Sequence, residues 1–196
     1  MTPVTWELIA AVLSSRSSTP VADAVSARAA VALILREGAS GLELLFIRRA
    51  VHPHDPWSGQ MGFPGGRWER GDADLKATAI RETAEEIAVD LSTSAEYLGP
   101  LDELRAMARM RPMDLAITPF VFRLRAAVEP VAGDEVESVH WIPIDALLGP
   151  ELRSTMEYTH QGEALRFPCL RFQELVIWGL TYRMFSGFQT LLDPRR

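Results

Sequence analysis

Two apolar runs near the start of the chain predict a pair of buried strands. Residues 28–35 read RAAVALIL and residues 42–49 read LELLFIRR, and both runs are rich in residues that favour β-structure. The segment EGASG between them supplies the polar and glycine residues of a turn. The two runs therefore predict a β-hairpin.

A helical period marks residues 73–88, the clearest helix prediction in the chain. Small and aliphatic residues recur there three and four positions apart, as on one face of a helix. Asp72 and Asp74 precede this stretch and offer N-cap oxygens. The predicted apolar stripe is Ala73, Ala77, Ile80, Ala84 and Ile87, and the opposite side carries Glu82, Glu85 and Glu86 with Arg81 at its margin.

The remaining patterns predict an α+β fold (an α/β/α sandwich) with a mixed β-sheet flanked by helices. Strands and helices do not alternate regularly, which argues against a wound βαβ sheet. We expect residues 1–27 to form an N-terminal helix and linker arm, and residues 28–192 to form a single domain that includes a C-terminal helix. The further predicted elements are a helix at 6–13, strands at 117–126, 136–144 and 165–172, a helical turn after 144, and a long helix at 174–192.

Composition narrows the possible functions. A chain of 196 residues with 47% apolar and 23% charged residues fits an ordinary soluble domain. Its net charge of -6 argues against nucleic-acid and membrane partners, and its single cysteine excludes an intramolecular disulfide. Because the N-terminus lacks the basic region of a signal peptide, a cytoplasmic location is expected. The helix at 6–13 and exposed strand edges leave a homodimer open.

The three clustered glutamates need a neutralising partner. Glu82 and Glu86 are like charges one helical turn apart, a spacing that costs a few tenths of a kcal/mol. A solvated surface helix with an Arg81–Glu85 pair is one interpretation. The glycines of the FPGG loop upstream favour another, because they let backbone carbonyls approach a bound ion. Hard divalent cations such as Mg²⁺ bind through a few carboxylates and substrate phosphates.

The stretch GGRWERGDADLKATAIRETAEEIAV resembles a Nudix box, usually written G-x5-E-x7-R-E-U-x-E-E-x-G-U, where U is a bulky aliphatic residue. The match is strongest at Arg81, Glu82, Glu85, Glu86 and Val89. Counting back from Arg81, the box glutamate and the first glycine are replaced by Ala73 and Arg67. Both departures vanish if the loop is one residue longer and begins at Gly66. The remaining departures are Thr83 at an aliphatic position and Ala88 at the late glycine.

The lengthened box is similar to that of the coenzyme A pyrophosphatase branch of the Nudix hydrolases. The segments SGQMGFPGG, LGPLDEL, ITPFV, DEVESVHWIPIDALL and IWGLTYRM occur in the same order as in that branch. The similarity covers roughly residues 28–190, with DPW standing where the branch has an aromatic-free loop. The resemblance implies a Nudix fold and a metal-dependent pyrophosphohydrolase that cleaves coenzyme A or acyl-CoA to 4′-phosphopantetheine and 3′,5′-ADP. Hydrolysis of ADP-ribose or another dinucleotide, and a non-catalytic nucleotide-binding module, are the alternatives.

The resemblance also implies roles for individual residues. Glu82, Glu85, Glu86 and the carbonyl of Gly66 would hold Mg²⁺ or Mn²⁺, unless Glu82 instead positions or deprotonates the attacking water. Arg81 would orient a neighbouring glutamate. Gly65 and Gly66 would border the substrate, and either Arg48 or Arg49 would bind a phosphate, because strand alternation lets only one of the two face the site.

Further candidates have plainer alternatives. Glu135, with Asp134, could serve as a loop general base or simply form a polar turn. An arginine cluster could receive an extra phosphate or be a solvated face. Trp57 and Trp68 could stack on an adenine or only pack. The arginines of this cluster are Arg105, Arg109 and Arg111. His52 and His54 lie two positions apart in a proline-rich loop and do not predict a metal site.

Overall fold

The structure is a computed structural model that describes residues 4–14, 16–22, 24–53, 55, 57–108, 111–160 and 162–192, with the backbone alone at positions 108, 111, 112, 160 and 163. Within those ranges no helix combines the length and apolar character that crossing a membrane requires. The helices are α1 (Trp6–Ser14), α2 (Leu75–Ile87), α3 (Leu91–Ser94), α4 (Ile144–Leu148) and α5 (Gly179–Leu192). The strands are β1 (Ala27–Gly38), β2 (Gly41–Arg49), β3 (Met61–Gly62), β4 (Gly65–Arg67), β5 (Ala95–Pro100), β6 (Leu104–Ala108), β7 (Arg111–Leu124), β8 (Val136–Pro143), β9 (Arg153–His160), β10 (Glu163–Phe172) and β11 (Leu175–Trp178).

A mixed sheet built around β1 forms the centre of the fold, as predicted. The β1–β2 hairpin is confirmed, with Leu35 opposite Leu44 and Gly38 opposite Gly41. On its other side β1 runs parallel to β7, and its beginning also pairs with β4. The strand order β3-β2-β1-β7-β5 is completed by β4, β6 and β8 beside this path. The predicted strands at 117–126 and 136–144 correspond to β7 and β8, and the helical turn to α4.

Strand β1 is apolar on both sides because a hydrophobic core lies on each face of the sheet. Leu33 and Leu35 belong to a core that also contains residues of α1 and α5. Ala32 and Ile34 belong to a second core, which includes Ala79 of α2. A strand buried on both faces reads as a continuous apolar run rather than an alternating one. The helix that carries the glutamates therefore packs on the face opposite α1 and α5.

The prediction of one long helix over residues 174–192 is wrong. Residues Leu175–Trp178 form β11, and the helix begins only at Gly179, which adopts a positive φ of 62°. The sequence LVIW is β-branched and aromatic, and it pairs antiparallel with β10, placing Ile177 opposite Leu170. The predicted strand at 165–172 lies within β10. Together β11, β10 and β9 make a small second sheet.

The segment after α1 is held against the main sheet by polar contacts. Asp102 accepts hydrogen bonds from Arg16 Nη2 at 2.5 Å and from the backbone N of Thr19 at 2.7 Å. Glu103 accepts from the backbone N of Val21 at 3.1 Å. The predicted arm is therefore docked along the connection between β5 and β6.

Candidate active site

Helix α2 begins and ends close to the predicted positions. Asp74 is its N-cap residue, and its Oδ1 accepts a hydrogen bond from the backbone N of Ala77 at 2.7 Å. The helix ends at Ile87, and Ala88 follows in the left-handed conformation with φ 54°. The Nudix box has a glycine at this position, which suits a left-handed C-cap residue. Alanine adopts the same backbone conformation here at some cost in strain.

The predicted faces of α2 are wrong in part, since Ile87 is buried and Glu85 exposed as predicted but other positions are not. Ala73 and Ala84, placed in the apolar stripe, are exposed. The buried face instead includes Glu86, which the helical wheel had placed on the polar side. Alanine is a weak marker of a buried face, and the burial of Glu86 depends on tertiary contacts that a wheel does not contain. The buried residues of α2 are Thr78, Ala79, Thr83, Glu86 and Ile87.

Asp72 binds the guanidinium of Arg81 with both carboxylate oxygens. Arg81 Nε donates to Asp72 Oδ1 at 2.9 Å, and Arg81 Nη2 donates to Oδ2 at 3.0 Å. Asp72 also accepts from Thr78 Oγ1 at 2.9 Å and from the backbone N of Glu69 at 3.0 Å. The Arg81 hydrogen bonds hold the pKa of Asp72 well below its usual range. Asp72 is thus an anchor for Arg81 rather than the predicted cap of the helix.

The remaining nitrogen of Arg81 lies between two of the glutamates. Its Nη1 donates to Glu82 Oε1 at 2.9 Å and to Glu85 Oε2 at 3.1 Å, so the two carboxylates lie side by side. The Glu82 side chain is 17% exposed and that of Glu85 is 60% exposed. Burial raises the pKa of Glu82, against the opposing effect of Arg81. Arg81 therefore contacts both glutamates, the arrangement expected of an orienting residue.

Glu86 is the most buried of the three glutamates, with a side chain only 4% exposed. Its Oε2 accepts a hydrogen bond from the backbone N of Gly65 at 2.9 Å. Its Oε1 lies 3.6 Å from Nη1 of Arg49, beyond hydrogen-bonding distance. Burial raises the pKa of Glu86 to about 7, although Gly65 and Arg49 act in the opposite direction. The protein therefore leaves the charge of this carboxylate incompletely neutralised.

The two glycines before α2 allow close approaches that a side chain would block. A Cβ on Gly66 would lie 2.4 Å from the carboxylate carbon of Glu82. Gly65 has φ 150°, and a Cβ there would lie 2.2 Å from the carbonyl oxygen of Ala30. The backbone of the FPGG loop therefore reaches the carboxylates directly.

The residues present fit a hard divalent cation. In the described part of the chain, no three acidic, histidine or cysteine side chains lie close enough in this arrangement to enclose a metal ion. Glu82 and Glu86 are nevertheless oxygen donors whose pKa values burial raises, and repulsion from the neighbouring Glu135 adds to the rise in both. Gly66 adds a backbone that packs against one of them. Carboxylate and carbonyl oxygens are the ligands that Mg²⁺ and Mn²⁺ accept.

Arg49, not Arg48, faces the site. The register between β2 and β8 shifts between these two residues. Arg49 Nε donates to Asp55 Oδ2 at 2.7 Å, and its Nη1 is the group near Glu86. Arg48 points elsewhere, with Nε 3.4 Å from Glu137 and both side chains more than 40% exposed. Of the two arginines, Arg49 therefore lies beside Glu86 and lines the pocket, and Arg48 does not.

The predicted loop acid lies close to the carboxylates but is exposed. The carbonyl oxygen of Glu135 accepts a hydrogen bond from the backbone N of Ala50 at 2.9 Å, which fixes the loop beside the end of β2. Repulsion from Glu135 contributes to the raised pKa values of Glu82 and Glu86. Glu135 and its neighbour Asp134 are both exposed. The loop is therefore near enough to act on the carboxylates electrostatically.

A pocket with a volume of about 240 Å³ opens next to the glycine loop. Ala29 and Ile117 of the sheet form one wall, and Met184 of α5 forms another. Trp57 lines the pocket and donates from Nε1 to the carbonyl of Met107 at 3.2 Å. Arg49, Asp55, Gly65, Gly66 and Arg67 also line it.

The other candidates lie away from this pocket or outside the described residues. Trp68 is 46% exposed, does not line the pocket, and donates from Nε1 to the carbonyl of Asp72. Arg105 Nε donates to the carbonyl of Met113 at 3.0 Å. Arg109 and His54 fall outside the described residues, as does the side chain of Arg111.

Asp55, Thr181 and Met184 are among the residues of the site that the sequence analysis did not identify. Asp55 and Thr181 line the pocket, as does the 5% exposed Met184. Thr181 also donates from Oγ1 to the carbonyl of Met61 at 2.8 Å. Thr181 and Met184 are three apart in a predicted helix, a spacing that indicates a shared face. No local pattern marks Asp55, because its partner Arg49 lies on a preceding strand.

Comparison with known proteins agrees with this geometry. Residues 26–161 match the NUDIX domain, and the chain belongs to the Nudix family. A protein of the MutT/nudix family from Enterococcus faecalis aligns over 97% of this chain and 70% of its own, with a TM-score of 0.55 and 16% identity. An Ap4A hydrolase from C. elegans aligns over 62% of this chain and 83% of its own, with a TM-score of 0.52 and 20% identity. These structures share the fold, and the predicted α+β Nudix fold is confirmed.

Relatives in sequence are also Nudix proteins or carry no functional name. The Nudix hydrolase NudL of Yersinia pestis is 31% identical over 139 residues, which cover 70% of this chain and 66% of the relative. An uncharacterised protein of Schizosaccharomyces pombe is 32% identical over 155 residues, which cover 77% of this chain and 47% of that protein. This chain thus spans about half of the yeast relative and 66% of the bacterial one. NudL is named a Nudix hydrolase, the broad class within which the sequence predicts a pyrophosphohydrolase.

Proposed function

We propose that the chain hydrolyses the diphosphate of coenzyme A or its acyl thioesters, with Mg²⁺ or Mn²⁺, and releases 4′-phosphopantetheine and 3′,5′-ADP. The observation that carries the hydrolytic chemistry is the buried Glu86 carboxylate, whose charge the protein leaves incompletely neutralised beside the glycine loop. The choice of substrate rests on the lengthened box that begins at Gly66 and on the segments similar to the coenzyme A pyrophosphatase branch.

The glutamates and Arg81 have different roles in the proposed reaction. Glu82, Glu85, Glu86 and the carbonyl of Gly66 would hold the cation, which supplies positive charge beside the diphosphate oxygens. Arg81, fixed by Asp72, keeps Glu82 and Glu85 in place. Water attacks one phosphorus, the bond from that phosphorus to the bridging oxygen breaks, and a base takes the proton of the water. Glu82, whose pKa burial raises, is that base if it acts in place of holding the cation, and Glu135 is the base if Glu82 holds the cation.

The pocket beside this cluster suits a nucleotide. Its apolar walls and Trp57 can accommodate an adenine ring. Arg49 and Arg67 line the same pocket near the glycine loop, where their guanidinium groups can bind phosphate oxygens. The diphosphate would then lie between the pocket and the glutamates.

Mass spectrometry of reaction products tests this function. The protein would be incubated with one substrate at a time in the presence of Mg²⁺. The substrates are coenzyme A, acetyl-CoA, dephospho-CoA and ADP-ribose. We expect 4′-phosphopantetheine and 3′,5′-ADP from coenzyme A, with slower turnover of dephospho-CoA, which lacks only the 3′-phosphate. In ¹⁸O-labelled water, the label identifies the phosphorus that is attacked.

Each other outcome points to a specific alternative. Faster cleavage of ADP-ribose than of coenzyme A would replace the substrate while keeping the chemistry. Binding of nucleotides without cleavage of any of them, at saturating Mg²⁺ and Mn²⁺, would identify a non-catalytic module and overturn the proposed hydrolysis.

A further inference from the structure

Arg49 links the loop before the glycines to the carboxylate cluster. Arg49 Nε donates to Asp55 Oδ2 at 2.7 Å, and the two side chains are 24% and 15% exposed. Both residues line the pocket. On the far side of the same guanidinium, Nη1 lies 3.6 Å from Glu86. Arg49 is therefore held between a loop carboxylate and a buried carboxylate of α2.

The loop carboxylate is itself fixed in place. Asp55 Oδ1, the oxygen not used by Arg49, accepts a hydrogen bond from the backbone N of Trp57 at 3.0 Å. The backbone of Asp55 accepts from the N of Ser58 at 3.2 Å. The Trp57 indole donates to the carbonyl of Met107 and so ties the loop to β6. These contacts fix the backbone carbonyl of Asp55 and the carboxylate oxygen that Arg49 does not use.

The two contacts of Arg49 are unequal. Its contact with Asp55 is a short, charge-assisted hydrogen bond, and its contact with Glu86 is longer than a hydrogen bond. A guanidinium has five N–H donors in a fixed plane. Because Asp55 holds that plane through Nε, the Nη groups of this pocket-lining residue remain available to phosphate oxygens.

We propose that Asp55 is a positioning residue that fixes the guanidinium of Arg49 between Glu86 and the pocket and thereby sets the affinity for the phosphates of the ligand. This inference rests on the proposed function for the identity of the ligand. Without the Asp55 charge, the Arg49 side chain gains rotational freedom and its nearest anion is Glu86. Binding a phosphate must then immobilise Arg49 again and draw it away from that carboxylate.

The test measures binding of ADP in the presence of EDTA by isothermal titration calorimetry, so that no metal and no turnover contribute. We expect Asp55→Asn to weaken ADP binding about three- to tenfold, the range for one side chain that has to be ordered on binding. AMP, which lacks the second phosphate, should lose less. With substrate and Mg²⁺, the same variant should raise KM by a similar factor and change kcat less than about twofold.

Two further variants separate positioning from general stability. Asp102→Asn breaks a comparable Arg–Asp pair, Arg16 with Asp102, outside the pocket, and should leave the Kd for ADP unchanged. In an Arg49→Lys background, which cannot reproduce the Nε contact, Asp55→Asn should add no further loss of ADP binding. Circular dichroism and thermal unfolding establish that each variant is folded.

Three results would overturn the inference. The first is unchanged ADP binding by folded Asp55→Asn, and the second is an equal loss in the wild-type and Arg49→Lys backgrounds. The third is a wild-type protein that does not bind ADP. If wild-type protein binds ADP with this dependence on Asp55 but cleaves no diphosphate, the proposed function fails while the role of Asp55 stands.

Discussion

The carboxylate of Asp72, just before α2, receives four hydrogen bonds, two of them from Arg81. The carboxylate of Glu86, in the last turn of the helix, receives one hydrogen bond, from Gly65, and a distant contact from Arg49. Their pKa values accordingly move in opposite directions, downward for Asp72 and upward to about 7 for Glu86. Both side chains are largely screened from water.

This difference shows which of the two carboxylate charges is neutralised by other groups of the protein. A buried charge is tolerated when hydrogen bonds and an opposite charge replace its water. Asp72 has that replacement within the chain, so its role is to support Arg81. Glu86 lacks such a replacement. The end of α2 is therefore where a bound cation would neutralise the buried charge of Glu86.

Glu86→Gln should have the largest effect because it removes the charge that the cation would neutralise. Mutating groups that only support metal ligands already costs about 10- to 100-fold, so we expect more than about a 100-fold loss of kcat/KM. Steady-state kinetics with the substrate that the product panel identifies would measure it. Glu85→Gln, which makes the same chemical change at a 60% exposed side chain, should lose less. Equal turnover by Glu86→Gln and wild type would contradict a cation site at this residue.

The metal-free protein should lose stability as the pH rises from about 4.5 to about 7. Glu86 titrates near 4.5 when unfolded and near 7 when folded, so the folded state binds more protons throughout this window. The shift corresponds to about 3 kcal/mol of unfolding free energy, fully lost above pH 7. Urea unfolding in EDTA at several pH values would measure this slope, and Glu86→Gln should reduce it. A slope of opposite sign in this window that is unaffected by Glu86→Gln would contradict the buried carboxylate.

Asp72→Asn should have an intermediate effect. It removes the negative partner of Arg81, and hydrogen bonds to charged groups contribute about 1.5–3 kcal/mol each, so we expect a loss of stability of this order. The freed Arg81 should also hold Glu82 and Glu85 less well, weakening Mg²⁺ binding about tenfold. Because the folded pKa of Asp72 is depressed, its contribution is present above about pH 4 and declines below that value. Calorimetry with Mg²⁺ and chemical unfolding would test both effects, and unchanged Mg²⁺ affinity would separate Asp72 from the site.

Arg48→Ala should have the smallest effect. Its pair with Glu137 is long and well exposed, and such pairs contribute less than about 1 kcal/mol. Turnover and ADP binding should stay at wild-type values, whereas Arg49→Ala should weaken ADP binding. A larger loss from Arg48→Ala than from Arg49→Ala would reverse the assignment of which arginine faces the site.

The sequence was sufficient for the parts of the site that lie close together in the chain. The Nudix box located α2, its glutamates and the glycine loop, and the apolar runs predicted the hairpin that ends at Arg49. Asp74 was correctly expected at the N-cap. These features depend on local spacing, which periodicity and motif patterns record.

The features of the fold and the site that could not be predicted from the sequence depend on contacts between distant segments. The wheel placed Glu86 on the polar side, because hydrophobicity does not register a carboxylate that a loop amide and a strand arginine help to bury. The position of Asp72 before the helix predicts a cap residue, because its partner Arg81 lies nine residues further along the chain, more than two helical turns away. The strand β11 was merged into a helix because LVIW also suits a buried helical segment, and pairing with β10 decided otherwise.

The parallel pairing of β1 with β7 also bears on how quickly this chain reaches its native state. Ala27 lies opposite Leu115, so the centre of the sheet forms only when two segments far apart in the sequence pair. Pairing them costs the conformational entropy of the chain between them. Proteins dominated by such non-local contacts fold more slowly than helical bundles of similar size. The β1–β2 hairpin, being local, is the natural early structure, and α2 acquires its complete packing surface only after β7 has joined it. A nascent chain of this protein therefore has a period in which its acidic helix has been synthesised but not yet docked.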